Sequence, residues 1–200
     1  MIYLYQETLK KLALSVILLT TLLTAQNALA AQKSLPIGPE VGSKAPSISV
    51  LNNKNKQETI HSLSAEKGLI ILFFRSADWC PFCKRHLIEF NGQAQKFRDL
   101  GYGLAAISYD NNDVLNTFSA QQNISYPLLS DQHAKTMLAY GILNADYKAG
   151  DMNYGIPYPG VVVINKAGII TQKYFFQGYK KRVKFTELYT QLKNRSPFTL

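Results

Sequence analysis

Phe73-Phe74-Arg75-Ser76-Ala77-Asp78-Trp79-Cys80-Pro81-Phe82-Cys83-Lys84 carries an apolar run into a Cys-Pro-Phe-Cys turn that opens a helix. Its two cysteines are the only ones among the 200 residues of the chain. Two cysteines at this spacing make a redox pair, half of a zinc site or a structural disulfide. Zinc needs a second ligand pair at similar spacing, and the histidines, His61, His86 and His133, are scattered. A structural disulfide gains its stability by closing a long loop, and this one closes almost none. The pattern therefore favours redox use. A cysteine between a strand and a helix start lies near unpaired backbone N–H groups and the positive end of the helix dipole, which stabilise a thiolate.

Upstream of the turn, Gly68 precedes the near-continuous apolar run from Leu69 to Phe74, the signature of a central strand covered on both faces. The spacing predicts a helix from Pro81 to about Leu100, with Pro81 in the first turn, where its missing N–H costs nothing. Cys83, Leu87, Phe90, Ala94 and Phe97 form one stripe of that helix. Cys83 is thus expected on the core face and Cys80 at an exposed tip, which assigns Cys80 as attacking nucleophile and Cys83 as resolving thiol. Leu104 to Ser108 reads as a second buried strand, and Asp110-Asn111-Asn112 offers N-cap chemistry for a helix through Gln122. Pro127-Leu128-Leu129 is expected as a brief edge segment. Ala134 to Tyr140 reads as a helix closed by Gly141, and Asn144 to Tyr154 as a polar loop. Val161–Ile164 and Ile169–Tyr174 make a hairpin, and Phe185, Leu188, Tyr189 and Leu192 give a closing amphipathic helix. Before the central strand, Ile48 to Leu51 reads as a short strand, Asn52 to Lys56 as a turn, and Thr59 to Leu63 as a segment that pairs back or turns.

Residues 1–30 read as a secretory signal: Lys10 and Lys11 precede an uncharged run from Leu12 to Ala25, and Ala28-Leu29-Ala30 is an A-x-A cleavage site. The expected destination is a bacterial periplasm. The alternative is an uncleaved anchor facing the same compartment, the only circumstance in which a membrane enters. Residues 31–45, rich in Pro, Gly and Lys, read as a linker, and residues 46–200 as one domain with a sizeable core. Removing the signal, which carries Glu7 against Lys10 and Lys11, lowers the formal charge of +9 by one. The cluster Lys180-Lys181-Arg182 with Lys184 supplies much of the remainder and reads as a solvated helix entrance, the alternative being a surface that docks acidic proteins or anionic lipid. Export argues against nucleic acid as a partner.

From Glu40 to about Tyr174 the sequence resembles the thioredoxin-fold redoxins of the AhpC/TSA (peroxiredoxin-like) and TlpA-like group. Three motifs in order carry the resemblance: Val41-Gly42-Ser43-Lys44-Ala45-Pro46, then Phe74-Arg75 followed by Trp79-Cys80-Pro81-Phe82-Cys83, then Tyr158-Pro159-Gly160 running through Asn165-Lys166-Ala167-Gly168. It implies an α/β thioredoxin-like fold, a central mixed sheet flanked by helices with an N-terminal β extension. It also implies that Pro159 is a cis proline facing the Cys80–Cys83 disulfide, with the backbone of Tyr158 pairing with an extended substrate. Trp79 would shield the site, and Arg75 would lower the thiolate pKa or pair with an acid. Thioredoxins place a buried Asp where Phe74 stands and many TlpA-like proteins a Glu where His86 stands, so His86 is the candidate acceptor of the Cys83 proton, the alternative being a partly exposed helix histidine with no role.

These readings converge on an exported thiol–disulfide oxidoreductase that exchanges disulfides with proteins through Cys80 and Cys83. Its partners would be protein thiols or disulfides and a dedicated redox protein, in solution or in the membrane. No metal or organic cofactor is implied. The principal alternative is a peroxiredoxin-like thiol peroxidase with Cys80 peroxidatic and Cys83 resolving. Such peroxidases use a Pro-x3-Thr/Ser-x2-Cys pocket, and Phe73 and Ala77 occupy those places before Cys80. A copper-delivery protein of the same fold would need a wider cysteine spacing and a downstream histidine, for which only His133 is at hand.

Overall fold

Six residues of alternating direction set the architecture. In strand β3 (Gly68–Phe73) every residue is buried. Ile70 and Leu72, with Phe74 beyond the strand, enter the core on one face of the sheet, and Leu69, Ile71 and Phe73 enter the core on the other. A strand buried on both faces must lie inside the sheet. In the computed structural model, which describes residues 36–176 and 178–194, it does. The expected signal segment lies outside the described residues. Among those described, no helix is long and apolar enough to cross a membrane.

The sheet has seven strands in the order β2-β1-β5-β4-β3-β6-β7. They are β1 (Val50–Leu51), β2 (Gln57–Glu58), β3, β4 (Tyr102–Ser108), β5 (Leu128–Ser130), β6 (Gly160–Asn165) and β7 (Ile170–Phe175). β4 runs parallel to β3 and β5, while β6 and β7 are antiparallel, so the sheet is mixed. The helices are α1 (Ile60–Leu63), α2 (Pro81–Asp99), α3 (Asn112–Gln122), α4 (Lys135–Ala139) and α5 (Phe185–Asn194). Cys83, Leu87, Phe90, Ala94 and Phe97 of α2 all face the core, as their period predicts. Phe90 stacks on Phe185 of α5 with ring centroids 4.3 Å apart. The β1–β2 pair is the N-terminal β extension.

Two expectations change. The Pro127–Leu129 region is not an edge, because β1 pairs antiparallel on the free side of β5, Leu51 opposite Ser130. The extension thereby covers hydrogen-bonding groups that an edge strand would expose. The described part of the expected linker, residues 36–45, lies along the start of β7. Gly42 and Ala45 N–H donate to the Ile170 and Gly168 carbonyls at 2.8 Å each, and Ile170 N–H donates back to Ser43.

Candidate active site

β3 and β4 run parallel and end together, so the segments leaving their C-terminal ends are neighbours. The first carries Arg75 to Cys80, and the second carries Tyr109 and Asp110. Cys80 is the N-cap of α2 and Pro81 its first residue, where a fixed φ suits the helix and the absent N–H is no loss. Cys80 and Cys83 are disulfide-bonded, with Cα atoms 5.2 Å apart. Cys83 N–H points at Cys80 Sγ, 3.3 Å away. The sulfur therefore occupies the place of a capping oxygen, where a thiolate gains from the free N–H groups and the helix dipole.

Burial corrects the expected division of the two sulfurs. Cys80 is 2% exposed and Cys83 1%, so Cys80 is not at an exposed tip. The segment between β7 and α5, which the sequence did not connect with the redox turn, packs on its neighbours in α2. The Tyr179 ring meets Phe82 edge-on at 5.6 Å, and the Val183 carbonyl lies 2.9 Å from His86 Nε2.

His86 is buried to 4% exposure and stacked on Phe185 at 4.6 Å. Burial, with Arg182 adding to it against the Val183 hydrogen bond, lowers its pKa to about 4. The imidazole is therefore neutral at neutral pH and donates Nε2–H to the carbonyl. A group that binds a proton so weakly is a poor acceptor for a thiol at neutral pH, and packing α2 to the chain before α5 is its visible work.

Pro159 is likewise corrected. No cis peptide occurs among the described residues, so Tyr158–Pro159 is trans. Tyr158 N–H is committed to the Ile142 carbonyl at 2.7 Å rather than left for a substrate. Pro159 and Tyr158 nonetheless line a cleft of about 280 Å³ together with Arg75, Tyr147 and Tyr179. The Arg75 guanidinium faces two rings, Trp79 at 4.7 Å and Tyr179 at 4.9 Å, instead of an acid. Trp79 is 42% exposed and donates Nε1–H to Tyr109 Oη at 3.0 Å, so it borders the redox turn rather than sealing it.

Asp110, expected from the sequence as part of an N-cap, takes a different place in the structure. Asn111 caps α3 through Val114 N–H, which leaves Asp110 for another task. Its Oδ2 accepts from Ala77 N–H at 2.7 Å and from the Ser108 hydroxyl at 3.0 Å. Ser76 also bonds to it, while the Ser76 hydroxyl accepts from Asp78 N–H at 2.9 Å. Asp110 thus fixes the turn three residues before the nucleophile. Burial raises its pKa against these hydrogen bonds. Its signal in the sequence was an acid two residues after a buried apolar strand, which fits a cap equally well. No group of three or more His, Cys, Asp or Glu side chains able to hold a metal occurs among the described residues.

A buried Cys-x-x-Cys disulfide at a helix start, set on the C-terminal side of a mixed sheet, defines a thioredoxin-fold redoxin. Residues 41–173 match the family model described as the AhpC/TSA family, and the chain belongs to that family as an oxidoreductase. The thioredoxin peroxidase of Echinococcus granulosus is 30% identical over 140 residues, covering 66% of this chain and 69% of that protein. A putative peroxiredoxin of Mycobacterium tuberculosis is 24% identical over 133 residues and covered to 83%. Among solved structures, the peroxidoxin BcpB of Mycobacterium tuberculosis superposes with a TM-score of 0.67 at 16% identity, covering 80% of this chain and 99% of that one. A peroxiredoxin-like protein from Aquifex aeolicus gives 0.64 at 22% identity, covering 78% and 89%. Likeness at these identities speaks for the fold.

Proposed function

We propose that the chain is an exported dithiol oxidoreductase that exchanges disulfides with protein substrates. The observation that carries the reading is the Cys80–Cys83 disulfide itself, closed within one turn at the helix start with Cys83 N–H aimed at Cys80 Sγ. In the reductive direction the Cys80 thiolate attacks a substrate disulfide. An S–S bond to Cys80 forms, the substrate S–S bond breaks, and one substrate thiolate leaves. The Cys83 thiolate then attacks Cys80 Sγ and releases the second. The substrate gains two electrons and the protein loses two. A redox partner returns the pair to its starting state. Export rests on the Lys10–Ala30 pattern, and the periplasm is the compartment that suits it.

A second reading, a thiol peroxidase, is favoured by the names of the relatives. There the Cys80 thiolate attacks a peroxide oxygen, the O–O bond breaks and an alcohol or water leaves, Cys80 becomes a sulfenic acid, and Cys83 displaces water from it to close the disulfide. Against it stand Phe73 and Ala77 in the places of the pocket proline and hydroxyl. Cys83→Ser tests the proposal. Treated with an oxidised protein substrate, the reduced variant is expected to accumulate a mixed disulfide through Cys80, read by intact mass. Activity surviving in Cys80→Ser would overturn the assignment.

A further inference from the structure

Cations and aromatic rings alternate in a continuous run of contacts around the redox turn. The Arg75 guanidinium lies over Trp79 at 4.7 Å and over Tyr179 at 4.9 Å. Tyr179 meets Phe82 edge-on at 5.6 Å, and the Arg85 guanidinium lies over Phe82 at 4.8 Å. Lys180 Nζ stands 5.9 Å from the Tyr179 ring, and Lys181 Nζ stands 4.9 Å from Phe176. The basic segment between β7 and α5 is thereby joined to the first turn of α2, and both border the cysteines: Trp79 precedes Cys80, and Phe82 lies between Cys80 and Cys83.

This surface is open to a partner. Arg85, Lys180 and Lys181 are exposed, and Trp79 and Tyr179 are 42% and 43% exposed. The single ion pair among the described residues, Lys184–Glu187, uses none of these cations. The acids nearby have other places. Asp78 borders a separate hollow with Lys84 and Asp113, Glu89 Oε1 accepts from Phe185 N–H at 3.2 Å, and exposed Asp146 borders the cleft on the far side of Tyr147. A cation resting on an exposed ring keeps its charge available, so an incoming carboxylate gains a charge-assisted contact without displacing an acid already there. Arginine, tyrosine and tryptophan together are also the residues that protein interfaces concentrate. Position decides between an acidic protein and an anionic lipid. Whatever covers this surface sits against the redox pair, and a protein brings the disulfide or thiol on which the pair acts, whereas a lipid headgroup brings neither.

We infer that the surface built by Arg75, Arg85 and Lys180 with Trp79, Phe82 and Tyr179 docks an acidic protein partner and steers its disulfide to Cys80. The inference rests on the dithiol reading above for its chemistry and on this surface for its binding. In the exchange the reduced pair gives two electrons to the partner's disulfide, which leaves as two thiolates while the Cys80–Cys83 bond closes. Attraction of this kind acts mainly on the rate of encounter. It is strongest where salt is low, because the screening length is about 30 Å at about 0.01 M and about 3 Å at about 1 M.

Two readouts separate the surface from the chemistry. In the first, the reduced protein is mixed with a peptide cyclised by a disulfide among glutamates and with its glutamine counterpart, and closure of the Cys80–Cys83 bond is timed by thiol trapping. The ratio of the two rates, glutamate over glutamine, should be about tenfold or more at about 0.01 M salt and approach one at about 1 M. At low salt it should fall about threefold or more when Arg85→Gln and Lys180→Gln are combined. It should hold when Lys67→Gln and Lys166→Gln are combined. These exposed lysines flank the Gly68–Asn165 pair at the opposite end of β3, and their loss makes the same change in net charge. A ratio near one in the parent, or an equal fall in both double variants, overturns the inference. In the second, a labelled glutamate peptide without cysteine is titrated with the oxidised protein and followed by anisotropy. Binding that the first double variant loses and the second keeps, beside no exchange with either disulfide peptide, would leave the docking surface standing and remove the dithiol reading. Sedimentation of the parent with phosphatidylglycerol vesicles but no binding of the peptide would assign the surface to lipid and overturn the inference.

Discussion

Replacing Asp110 separately with Ala and with Asn tests whether this carboxylate holds the redox turn. Asp110 is 8% exposed, and its Oδ2 is the acceptor for Ala77 N–H at 2.7 Å and the Ser108 hydroxyl at 3.0 Å, both on buried residues. Alanine strands these donors at about 1–3 kcal/mol each, and because they share one acceptor the expected loss is about 2–4 kcal/mol. At an m-value of about 2 kcal/mol/M that moves the urea midpoint down by about 1–2 M. Asparagine keeps one acceptor oxygen and should stay within about 1 kcal/mol of the parent at neutral pH. The pH dependence has a definite sign. Burial raises the folded pKa of Asp110 above the usual carboxylate value. Below that usual value both states hold the proton. Above it the unfolded chain releases its proton first, so the parent loses stability as pH rises towards the folded pKa. Asp110→Asn lacks this loss. The parent's advantage over Asp110→Asn should therefore shrink between about pH 4 and about pH 7, read from urea midpoints at both. An advantage that grows over this interval would mean the carboxylate is favoured in its charged form, and the burial argument would fail.

Other substitutions probe neighbouring parts. His86 has its pKa lowered to about 4, so the folded state resists the proton that the unfolded chain accepts. Stability is full above about pH 6.5 and falls by up to about 3 kcal/mol towards pH 4. His86→Gln should remove that fall in acid melts, and an unchanged acid limb would refute it. Gly68 has φ +131°, and a Cβ there would lie 2.0 Å from the Ile164 carbonyl oxygen in the adjacent strand. Gly68→Ala should cost more than about 3 kcal/mol, and a midpoint shift under about 0.5 M urea would contradict this. Phe90 is stacked on Phe185 and tilted against Tyr126 at 4.7 Å, so Phe90→Ala should cost about 3–5 kcal/mol by calorimetry. A loss below about 1 kcal/mol would show that the cluster re-closes around the gap.

What could be read from the sequence, and what could not, follows from the range of each interaction. Leu69 to Phe74 announced an interior strand because burial on both faces removes polar positions. Cys83, Leu87, Phe90, Ala94 and Phe97 announced the face of α2 because a helix repeats its contacts at a fixed period. Both signals are local. The packing on Phe82 and His86 beside the cysteines is not: Tyr179 and Val183 lie about a hundred residues further along, at a basic cluster that reads as solvated surface. Periodicity therefore put Cys80 at a tip while the fold buried it. Asp110 was misread because an acid after a strand serves a helix cap or a turn equally well, and only the position of Ala77 decides. The edge assigned to Pro127–Leu129 failed for a similar reason, since a two-residue strand, Val50–Leu51, completes the sheet beside it. For Pro159 the cis isomer came only with the family resemblance, and nothing in the residues around it decides the isomer of its peptide bond.

Whether Cys80 and Cys83 exist to exchange disulfides is tested most directly by stopped-flow oxidation of the reduced protein, followed through Trp79 fluorescence. A protein disulfide and hydrogen peroxide are offered in parallel at equal concentration. The account predicts fast, complete oxidation by the disulfide and slow oxidation by peroxide, both ending in the Cys80–Cys83 bond. Fast peroxide consumption beside slow disulfide exchange would contradict it and make the chain a thiol peroxidase, with Cys80 peroxidatic and Cys83 resolving.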